Sequence, residues 1–357
     1  MNRPDGSPTA VPKFAQPQLA VLWRQGSDAS KYMKGQRSFS CPRPTLSFVA
    51  LAVIAISIAS AARAEGPSRA FSAKPRIKYR DDGSALYWYI DHQRRNGKQG
   101  VLVIAQGSGC QSVALNSNVA RAKSLLSDFV VLTVEKYGVR PEDDPVDQSN
   151  CSPTFYAHHT VSQRADDYMQ VLSELKKQSW WNGQLALFGG SEGGAVVAEL
   201  APQTSANAVV IFSTGTGISL REAFKQVVPP PIAAGAEAEF AKIRADPLSS
   251  KVWGGNSYRW WADIMDRVLV DDLLRAREPI LLVQGELDRN APVSAGRAAR
   301  DAFSRAGRCN LTYWEFKGYD HQMIDVWGKS HSPEVLNRIS AWLRARLADP
   351  DPCPTTK

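Results

Sequence analysis

Short apolar runs alternate along the chain with longer segments in which apolar residues recur at helical spacing. The apolar runs occupy residues 100–105, 130–134, 185–188, 208–212, 280–283 and 311–316. The helical segments occupy residues 117–128, 161–178, 192–202, 293–306 and 333–348. Continuous apolar strands that alternate with helices are typical of a mostly parallel sheet covered on both faces. The pattern therefore predicts an α/β fold.

Two segments depart from this alternation. Residues 76–80 and 85–90 flank the turn Asp81-Asp82-Gly83-Ser84, which predicts an antiparallel hairpin at the N-terminal edge of the sheet. Residues 214–278 separate the fourth apolar run from the fifth, whereas connections in α/β units usually take about 2–6 residues. We therefore expect an insert over 214–278.

The insert contains a Pro229-Pro230-Pro231 run, an amphipathic stretch near 235–245 and a cluster of aromatic residues. The cluster consists of Trp253, Tyr258, Trp260 and Trp261. These rings either pack on the sheet as ordinary core or form part of a helical cap over a binding site. We favour the cap and take Trp260 and Trp261 as candidates for a substrate pocket.

The N-terminal 64 residues have the features of a leader. Residues 46–62 are apolar or small, basic residues precede them, and Ala62-Arg63-Ala64 follows as an A-x-A cleavage site. This order is typical of a secretory signal peptide. We expect translation to start at Met33 and cleavage to follow Ala64. An uncleaved membrane anchor is the alternative, since the apolar run is at the short edge of what spans a bilayer.

The net charge comes mostly from this leader. The whole chain of 357 residues has 43 basic and 35 acidic residues. The leader accounts for eight of the basic and two of the acidic residues, which leaves 35 against 33 in residues 65–357. A net charge near +2 does not indicate a nucleic-acid partner. The length of 65–357 suits one α/β domain with the insert at 214–278.

The segment Gly189-Gly190-Ser191-Glu192-Gly193 lies between an apolar run and a helical segment. This is the G-x-S-x-G pattern in a strand–turn–helix context, where the glycines allow a sharp turn that exposes the serine oxygen. An ordinary glycine-rich turn is the alternative interpretation. The context favours Ser191 as a nucleophile.

Such a nucleophile needs a base, and the base needs an orienting acid. Asp288 follows the fifth apolar run of the parallel sheet and His321 follows the last. Carboxyl ends of parallel strands lie at the same edge of a sheet, and the order Ser191, Asp288, His321 is the one expected for this architecture. Of the nearby acids, Glu286 lies close to its strand, and Asp320 is next to the histidine; neither is preferred.

Backbone amides are expected to stabilise an oxyanion beside Ser191. One is the N–H of Glu192 at the start of a helix, where the helix dipole also favours negative charge. The second is expected from the loop Gln106-Gly107-Ser108-Gly109-Cys110, with Ser108 as the donor. A flexible glycine turn without such a role is the alternative.

With these residues the chain resembles the α/β-hydrolase family over residues 76–349. The elbow Gly189 to Gly194 is similar to that of prolyl-oligopeptidase-type catalytic domains and of dienelactone hydrolase relatives, although the latter have a cysteine where this chain has Ser191. The resemblance implies an acyl-enzyme mechanism. The family's oxyanion loop often begins His-Gly, and here it begins Gln106-Gly107, so only its backbone amides are expected to act alike.

The strand order of this sheet also predicts the disulfides. Cys110 and Cys151 both follow strands at the carboxyl edge, while Cys309 precedes the last strand and the final helix returns towards it before Cys353. We expect Cys110–Cys151 and Cys309–Cys353 bridges, in keeping with an exported protein.

The sequence therefore predicts a periplasmic or secreted serine hydrolase that acts on carboxylic esters. A serine peptidase or amidase with the same triad is the first alternative, and a non-catalytic binding protein with a hydrolase-like fold is the second. We expect a small-molecule ester or peptide substrate, no metal or organic cofactor, and no stable membrane insertion after cleavage. The acidic loop 141–159 is interpreted as solvated, with cation binding as the alternative.

Overall fold

The fold is that of a computed structural model which describes residues 71, 74–92, 97–145, 147, 150–349, 351 and 353. Its strands are β1 Arg76–Tyr79, β2 Ala85–His92, β3 Gln99–Ala105, β4 Val130–Val134, β5 Trp181–Gly190, β6 Ala208–Phe212, β7 Val252–Trp253, β8 Asn256–Ser257, β9 Ile280–Gly285 and β10 Leu311–Phe316. Its helices are α1 Ser117–Ala122, α2 Pro153–His158, α3 Val161–Leu175, α4 Glu192–Leu200, α5 Leu220–Val227, α6 Pro230–Ala245, α7 Tyr258–Ile264, α8 Val270–Leu273, α9 Val293–Arg305 and α10 Ser332–Ala348.

Eight strands form one mixed sheet in the order β1-β2-β4-β3-β5-β6-β9-β10. The first two strands are antiparallel to each other, and β2 is antiparallel to β4. In the order β4-β3-β5-β6-β9-β10 of this sheet, every pairing is parallel. Strands β7 and β8 form a separate antiparallel pair. The carboxyl ends of β3, β5, β6, β9 and β10 therefore lie at the same edge of the sheet. This confirms the predicted parallel sheet with an antiparallel N-terminal edge.

Each strand supplies both faces of the sheet because successive side chains point to opposite sides. On β3, Val101 and Val103 pack against α3 and α4, whereas Leu102 and Ile104 pack against α1 and α10. Burial of all seven residues of β3 agrees with a central position. The helices thus cover two apolar cores, one on each face of the sheet.

The insert folds onto the core that α3 and α4 share. It contributes the buried side chains Phe240, Tyr258, Trp260 and Trp261 to that core. Four rings (Phe224, Phe240, Trp253 and Trp261) contact one another, with every pair of centroids 5.0–6.0 Å apart. Edge and tilted contacts of this kind stabilise aromatic clusters beyond the area they bury. The insert is therefore a packed part of the domain.

Helix starts in the insert follow from local sequence. Pro229-Pro230-Pro231 begins α6, since proline at the first helical positions lacks only an N–H that has no helical partner there. Ser219 begins α5 with a capping box, in which Glu222 returns a hydrogen bond to the cap. The sequence predicted only the stretch near 235–245 among the helices of the insert.

The structure contains disulfides between Cys110 and Cys151 and between Cys309 and Cys353. These are the pairs that the strand order leads us to expect. The Cα atoms are 5.7 and 5.3 Å apart, within the usual range for a disulfide. The first bridge joins the loop after β3 to the loop before α2.

Residues 1–64, with the expected start at Met33 and the cleavage site after Ala64, lie outside the described residues. So does the apolar run 46–62. In the part of the chain that the structure describes, no helix is both long and apolar enough to span a bilayer.

Candidate active site

Ser191 lies in a sharp turn between β5 and α4. Its backbone has φ 55° and ψ −125°, a conformation that a side chain other than glycine rarely adopts. The turn is held by Ser191 N–H, which donates to the Phe212 carbonyl, and by Thr214 Oγ1, which donates to the Ser191 carbonyl. Such strain is typical of functional positions that the surrounding fold fixes.

The motif glycines are required by close backbone contacts. A Cβ on Gly189 would lie 2.1 Å from the Gly193 carbonyl oxygen, and one on Gly193 would lie 2.0 Å from the Ala105 oxygen. At Gly190 the nearest atoms would be 3.8 Å away. Gly189 and Gly193 therefore allow α4 to approach β5 and β3. Gly190 is not needed for this approach.

Asp288 and His321 meet at the carboxyl ends of β9 and β10. His321 Nδ1 lies 2.8 Å from Asp288 Oδ2. An ionised carboxylate only accepts hydrogen bonds, so Nδ1 carries the proton and Nε2 is left as the acceptor. Asp288 is buried and also accepts from the amides of Asn290 and Ala291 and from Gln284 Nε2. The acid is thus fixed before any substrate arrives.

The other acids near His321 accept hydrogen bonds from backbone amides instead. Glu286 accepts from the Gly318 amide, and Asp320 accepts from the amides of Gln322 and Ile324. His331 begins α10 and lies 2.9 Å from Asp325. Asp288 is therefore the carboxylate that the structure brings to His321.

Ser191 and His321 line the same cavity, which has a volume of about 70 Å³. Ser108 and Glu192, the expected oxyanion donors, also line it. Most of the remaining wall is apolar and comes from α4, the insert and the loop before α9: Ala195, Ile218, Leu220, Ala223, Trp260, Ile264, Leu269 and Ala291. The other lining residues are Ser213, Thr214, Gly215, Arg267 and Asn290. The structure thus brings the predicted serine, histidine and oxyanion loop around one small apolar cavity.

The two candidate pocket tryptophans have different positions. Trp260 lines the cavity. Trp261 packs in the four-ring cluster of the insert, and its indole N–H donates to the Trp253 carbonyl at 2.9 Å. Trp261 is therefore a core residue of the insert, and Trp260 is the tryptophan placed to contact a ligand.

The loop after β3 lies directly against the nucleophile. A Cβ on Gly107 would be 3.6 Å from Ser191 Cβ and 3.3 Å from the Gly190 carbonyl oxygen. A Cβ there would require the Gly190 carbonyl to shift by a few tenths of an ångström, so glycine suits this close approach. The loop therefore lies directly against the elbow, and its Ser108 lines the same cavity as Ser191.

Beneath this loop is a buried charge cluster of Lys136, His159, Arg164 and Glu192. Glu192 Oε1 lies 2.6 Å from Arg164 Nη1, 3.1 Å from His159 Nε2 and 3.6 Å from Lys136 Nζ. All four side chains are almost fully inaccessible. From the sequence, Glu192 is expected to act only through its backbone N–H, and no role is predicted for the other three residues.

Burial governs the ionisation of this cluster. It lowers the pKa values of Lys136 and His159, while the Glu192 carboxylate opposes both shifts. Burial also opposes ionisation of Glu192, but the charges of Lys136, His159 and Arg164 outweigh it and hold the Glu192 pKa well below its ordinary value. Glu192 is therefore a carboxylate surrounded by donors.

A second, more open cleft of about 750 Å³ lies beside the acidic loop. Its wall includes Arg80, Tyr137, Asp143 and Asp144, and neither Ser191 nor His321 contributes to it. Asp143 and Asp144 accept hydrogen bonds from Arg140 N–H and Gln111 Nε2. Among the described residues, no group of three or more His, Cys, Asp or Glu side chains is placed to hold a metal ion.

No protein-family profile and no curated protein sequence matches this chain. Solved structures do. Est1E from Butyrivibrio proteoclasticus matches with a TM-score of 0.55 and 15% identity, over 78% of this chain and 100% of its own. The esterase Pf2001 from Pyrococcus furiosus matches with a TM-score of 0.52 and 13% identity, over 77% and 92%.

A puromycin hydrolase matches with a TM-score of 0.53 and 18% identity, over 77% of this chain and 39% of its own. At these identities the likeness concerns the fold. Together with the mixed eight-stranded sheet, the strand order and the serine elbow after β5, it confirms the architecture expected from the sequence. The chain has the α/β-hydrolase fold.

Proposed function

We propose that this protein is an exported serine hydrolase that cleaves carboxylic esters with Ser191, His321 and Asp288. The observation that supports this most directly is the His321–Asp288 contact of 2.8 Å beside the cavity that Ser191 also lines. A strained serine, an oriented imidazole and a buried carboxylate are the parts that acyl transfer needs. The esterase neighbours share the fold in which this arrangement is found.

In the proposed reaction, His321 Nε2 takes the proton of Ser191 as its oxygen attacks the ester carbonyl. The Ser108 and Glu192 amides stabilise the oxyanion, and α4 adds the positive end of its dipole. His321 then protonates the leaving alcohol, and the C–O bond to it breaks. Water hydrolyses the acyl-Ser191 ester with His321 again acting as base. Asp288 orients the imidazole and stays ionised.

The cavity favours a short apolar acyl group. Its volume of about 70 Å³ is small, and its walls are mainly aliphatic with the Trp260 ring. Pockets of this kind bind through apolar surface, with a few polar groups fixing orientation. We expect acetyl to butanoyl esters to be better substrates than long-chain esters.

Export is part of the proposal. The leader over 1–64 has the composition of a signal peptide. The Cys110–Cys151 and Cys309–Cys353 bridges suit an oxidising compartment such as the periplasm or the extracellular space. The insert over 214–278 acts in this proposal as a cap, since it supplies Trp260 and Ile264 to the cavity wall.

A fluorophosphonate probe tests the catalytic assignment. We expect the folded protein to be labelled, with mass spectrometry locating the adduct on Ser191. Ser191→Ala is expected to lose the label. Ser213→Ala is the matched control, because Ser213 lines the same cavity at a strained φ of 49° and is expected to leave the label in place. Absence of labelling in the folded wild type would favour a non-catalytic binding protein.

Substrate assays then separate esterase from peptidase. p-Nitrophenyl acetate and butanoate are compared with p-nitroanilides of single amino acids at equal concentration. We expect the esters to be turned over at least about 100-fold faster in kcat/KM, corresponding to a difference of about 2.7 kcal/mol. Faster turnover of the anilides would assign the same triad to a peptidase or amidase.

A further inference from the structure

The oxyanion loop, residues 106–110, is held through its carbonyl groups by two buried cations. Lys136 Nζ donates to the carbonyl oxygens of Gly107 and Gly109. Arg164 Nη2 donates to the carbonyl oxygen of Gln106 at 2.7 Å. Three carbonyls of this short loop therefore face the charge cluster. Hydrogen bonds from charged donors are about twice as strong as neutral ones.

These contacts fix the direction of the loop amides. In a trans peptide the C=O and the following N–H lie in one plane and point in opposite directions. A Gly107 carbonyl held by Lys136 therefore turns the Ser108 N–H away from the buried cation. Ser108 lines the cavity, and Gly107 lies against Ser191. The amide assigned to the oxyanion is thus directed by the lysine on the other side of the peptide.

Glu192 anchors the cations themselves. Its side chain, with 2% of its surface accessible, contacts Arg164 at 2.6 Å and lies 3.6 Å from Lys136. Its backbone N–H is the second expected oxyanion donor. One residue therefore connects the start of α4, through two cations, to the loop after β3. A displaced cation would move one donor relative to the other.

We propose that Lys136 and Arg164, anchored by the Glu192 carboxylate, are positioning residues that hold the oxyanion loop in the conformation that binds the transition state. The inference rests on the proposed function of Ser191 and adds to it the residues that set the geometry of its oxyanion site. Lys136 and Arg164 contact neither the substrate nor the reacting atoms and act through the Gln106, Gly107 and Gly109 carbonyls.

Removal of the donors tests the proposal. Lys136→Met keeps the length of the side chain and removes the ammonium. We expect kcat for p-nitrophenyl butanoate to fall about 100-fold, the effect of losing one oxyanion donor, while KM stays within about threefold. Arg164→Lys keeps a charge beside Glu192, but one ammonium cannot replace the planar fork that reaches both Glu192 and Gln106. We expect a loss of about 10-fold there.

Arg308→Met is the matched control. Arg308 also holds two backbone carbonyls, those of Leu274 and Ala276, but it does so before the amino end of β9, far from the cavity. Its loss is expected to lower the melting temperature and to leave kcat within about twofold of the wild type. A purely structural role for Lys136 would give this same result.

Hydrogen–deuterium exchange supplies a readout that does not need turnover. Peptides covering 106–112 are expected to exchange at least about 10-fold faster in Lys136→Met than in the wild type or in Arg308→Met. Unchanged exchange in this loop, or a kcat in both Lys136→Met and Arg164→Lys equal to that of Arg308→Met, would overturn the inference. If the wild type shows no Ser191-dependent turnover, the proposed function fails, and the exchange result alone decides whether the cations position the loop.

Discussion

The glycines around Ser191 show how a short motif is determined by contacts at the scale of single atoms. Gly189 and Gly193 have backbone oxygens about 2 Å from where a Cβ would lie, whereas a Cβ on Gly190 would make only ordinary contacts with Phe212 at 3.8 Å. The serine between them holds φ 55° because the Phe212 and Thr214 contacts on both sides fix the turn. Ser191 therefore adopts the strained turn, whereas Gly189 and Gly193 allow α4 to approach the sheet.

This division predicts unequal effects of alanine along the motif. Gly189→Ala and Gly193→Ala force a methyl group into a backbone carbonyl, and we expect each to lower the free energy of unfolding by about 2–4 kcal/mol. Gly190→Ala is expected to change it by less than about 1 kcal/mol. Urea denaturation followed by tryptophan fluorescence measures all three. Equal losses at the three positions would contradict the contact argument.

A second residue-scale prediction concerns Glu135, which follows β4 directly. Its buried carboxyl contacts Ser112 Oγ at 2.5 Å and the Val113 amide at 3.1 Å. Burial raises its pKa to about 8, against an ordinary value of 4.5. The folded state therefore keeps a proton that the unfolded state releases, so this residue's contribution to stability falls as the pH rises from about 4.5 to 8.

Glu135→Gln removes that titration while keeping the shape of the side chain. We expect the variant and the wild type to melt at similar temperatures at pH 5, and the variant to melt several degrees higher at pH 8. Differential scanning calorimetry at both pH values makes the comparison. If the melting temperature of the wild type rises relative to that of Glu135→Gln between pH 5 and pH 8, Glu135 is ionised in the folded protein and the prediction is wrong.

The positions of residues that directly follow strands could be predicted from the sequence. The contacts between residues that meet only in the folded chain could not. Asp288 and His321 could be predicted because each follows an apolar run at a known edge of a parallel sheet. The contacts of Lys136, His159 and Arg164 with Glu192 join residues 28–56 positions apart, and no local pattern marks them. The only available indication was that Lys136 lies just past the end of β4, at the same edge.

At the scale of elements, the two disulfides lie in different settings. Cys110 ends the loop 106–110, which is proposed to form the oxyanion site, and Cys151 precedes α2, so their bridge fixes a part of the candidate site. Cys309 precedes β10 and Cys353 follows α10, at the opposite end of the strands. The sequence separations, 41 and 44 residues, are nearly equal. Comparable stabilisation through the unfolded chain is therefore expected from both.

The bridges thus form a matched pair of tests. Cys110→Ala/Cys151→Ala and Cys309→Ala/Cys353→Ala are each expected to lower the free energy of unfolding by about 2–4 kcal/mol. Only the first is expected to reduce kcat as well, by about 10-fold, because it frees the oxyanion loop. Unfolding curves and ester turnover below the melting temperature give both quantities. A similar loss of kcat in the second variant would contradict the assignment.

The insert offers another element-scale comparison between adjacent tryptophans. Trp260→Ala enlarges the cavity, and we expect the ratio of kcat/KM for p-nitrophenyl octanoate to that for the acetate to rise about 10-fold. Trp261→Ala removes a ring of the four-ring cluster and is expected to lower the free energy of unfolding by about 3–5 kcal/mol without changing that ratio. An unchanged ratio in Trp260→Ala would remove this ring from the proposed acyl pocket.

At the scale of the whole molecule, the parallel sheet could be predicted from the sequence more completely than the helices of the insert. The predicted parallel strands agree with the structure to within one or two residues, apart from β5, which begins four residues earlier. Burial on both faces leaves β3 and β4 a continuous apolar pattern that is hard to misread. In the insert, α5, α7 and α8 have four to eight residues each, too short for periodicity to define.

The prediction at the scale of the whole molecule concerns export and cleavage of the expected leader, residues 1–64. When the chain is expressed from Met33 in a bacterial host, we expect the mature protein in the periplasmic fraction, with an N-terminus at Glu65 found by Edman sequencing. Free-thiol titration of that fraction under denaturing conditions is expected to find no reactive cysteine, since the proposed export would bring both cysteine pairs to an oxidising compartment. An intact leader on membrane-bound protein would instead support the anchor interpretation.

The position of β10 at the edge of the sheet has a consequence for when the candidate site is completed. The elbow and Asp288 are synthesised first, but the imidazole arrives with residue 321 and is placed only when β10 pairs with β9. Under the proposed function, a chain released before that point would have the expected nucleophile and acid without the expected base. Under the proposed function, pairing of this last strand completes the site, so an unfinished chain inside the cell would lack a competent site for ester cleavage.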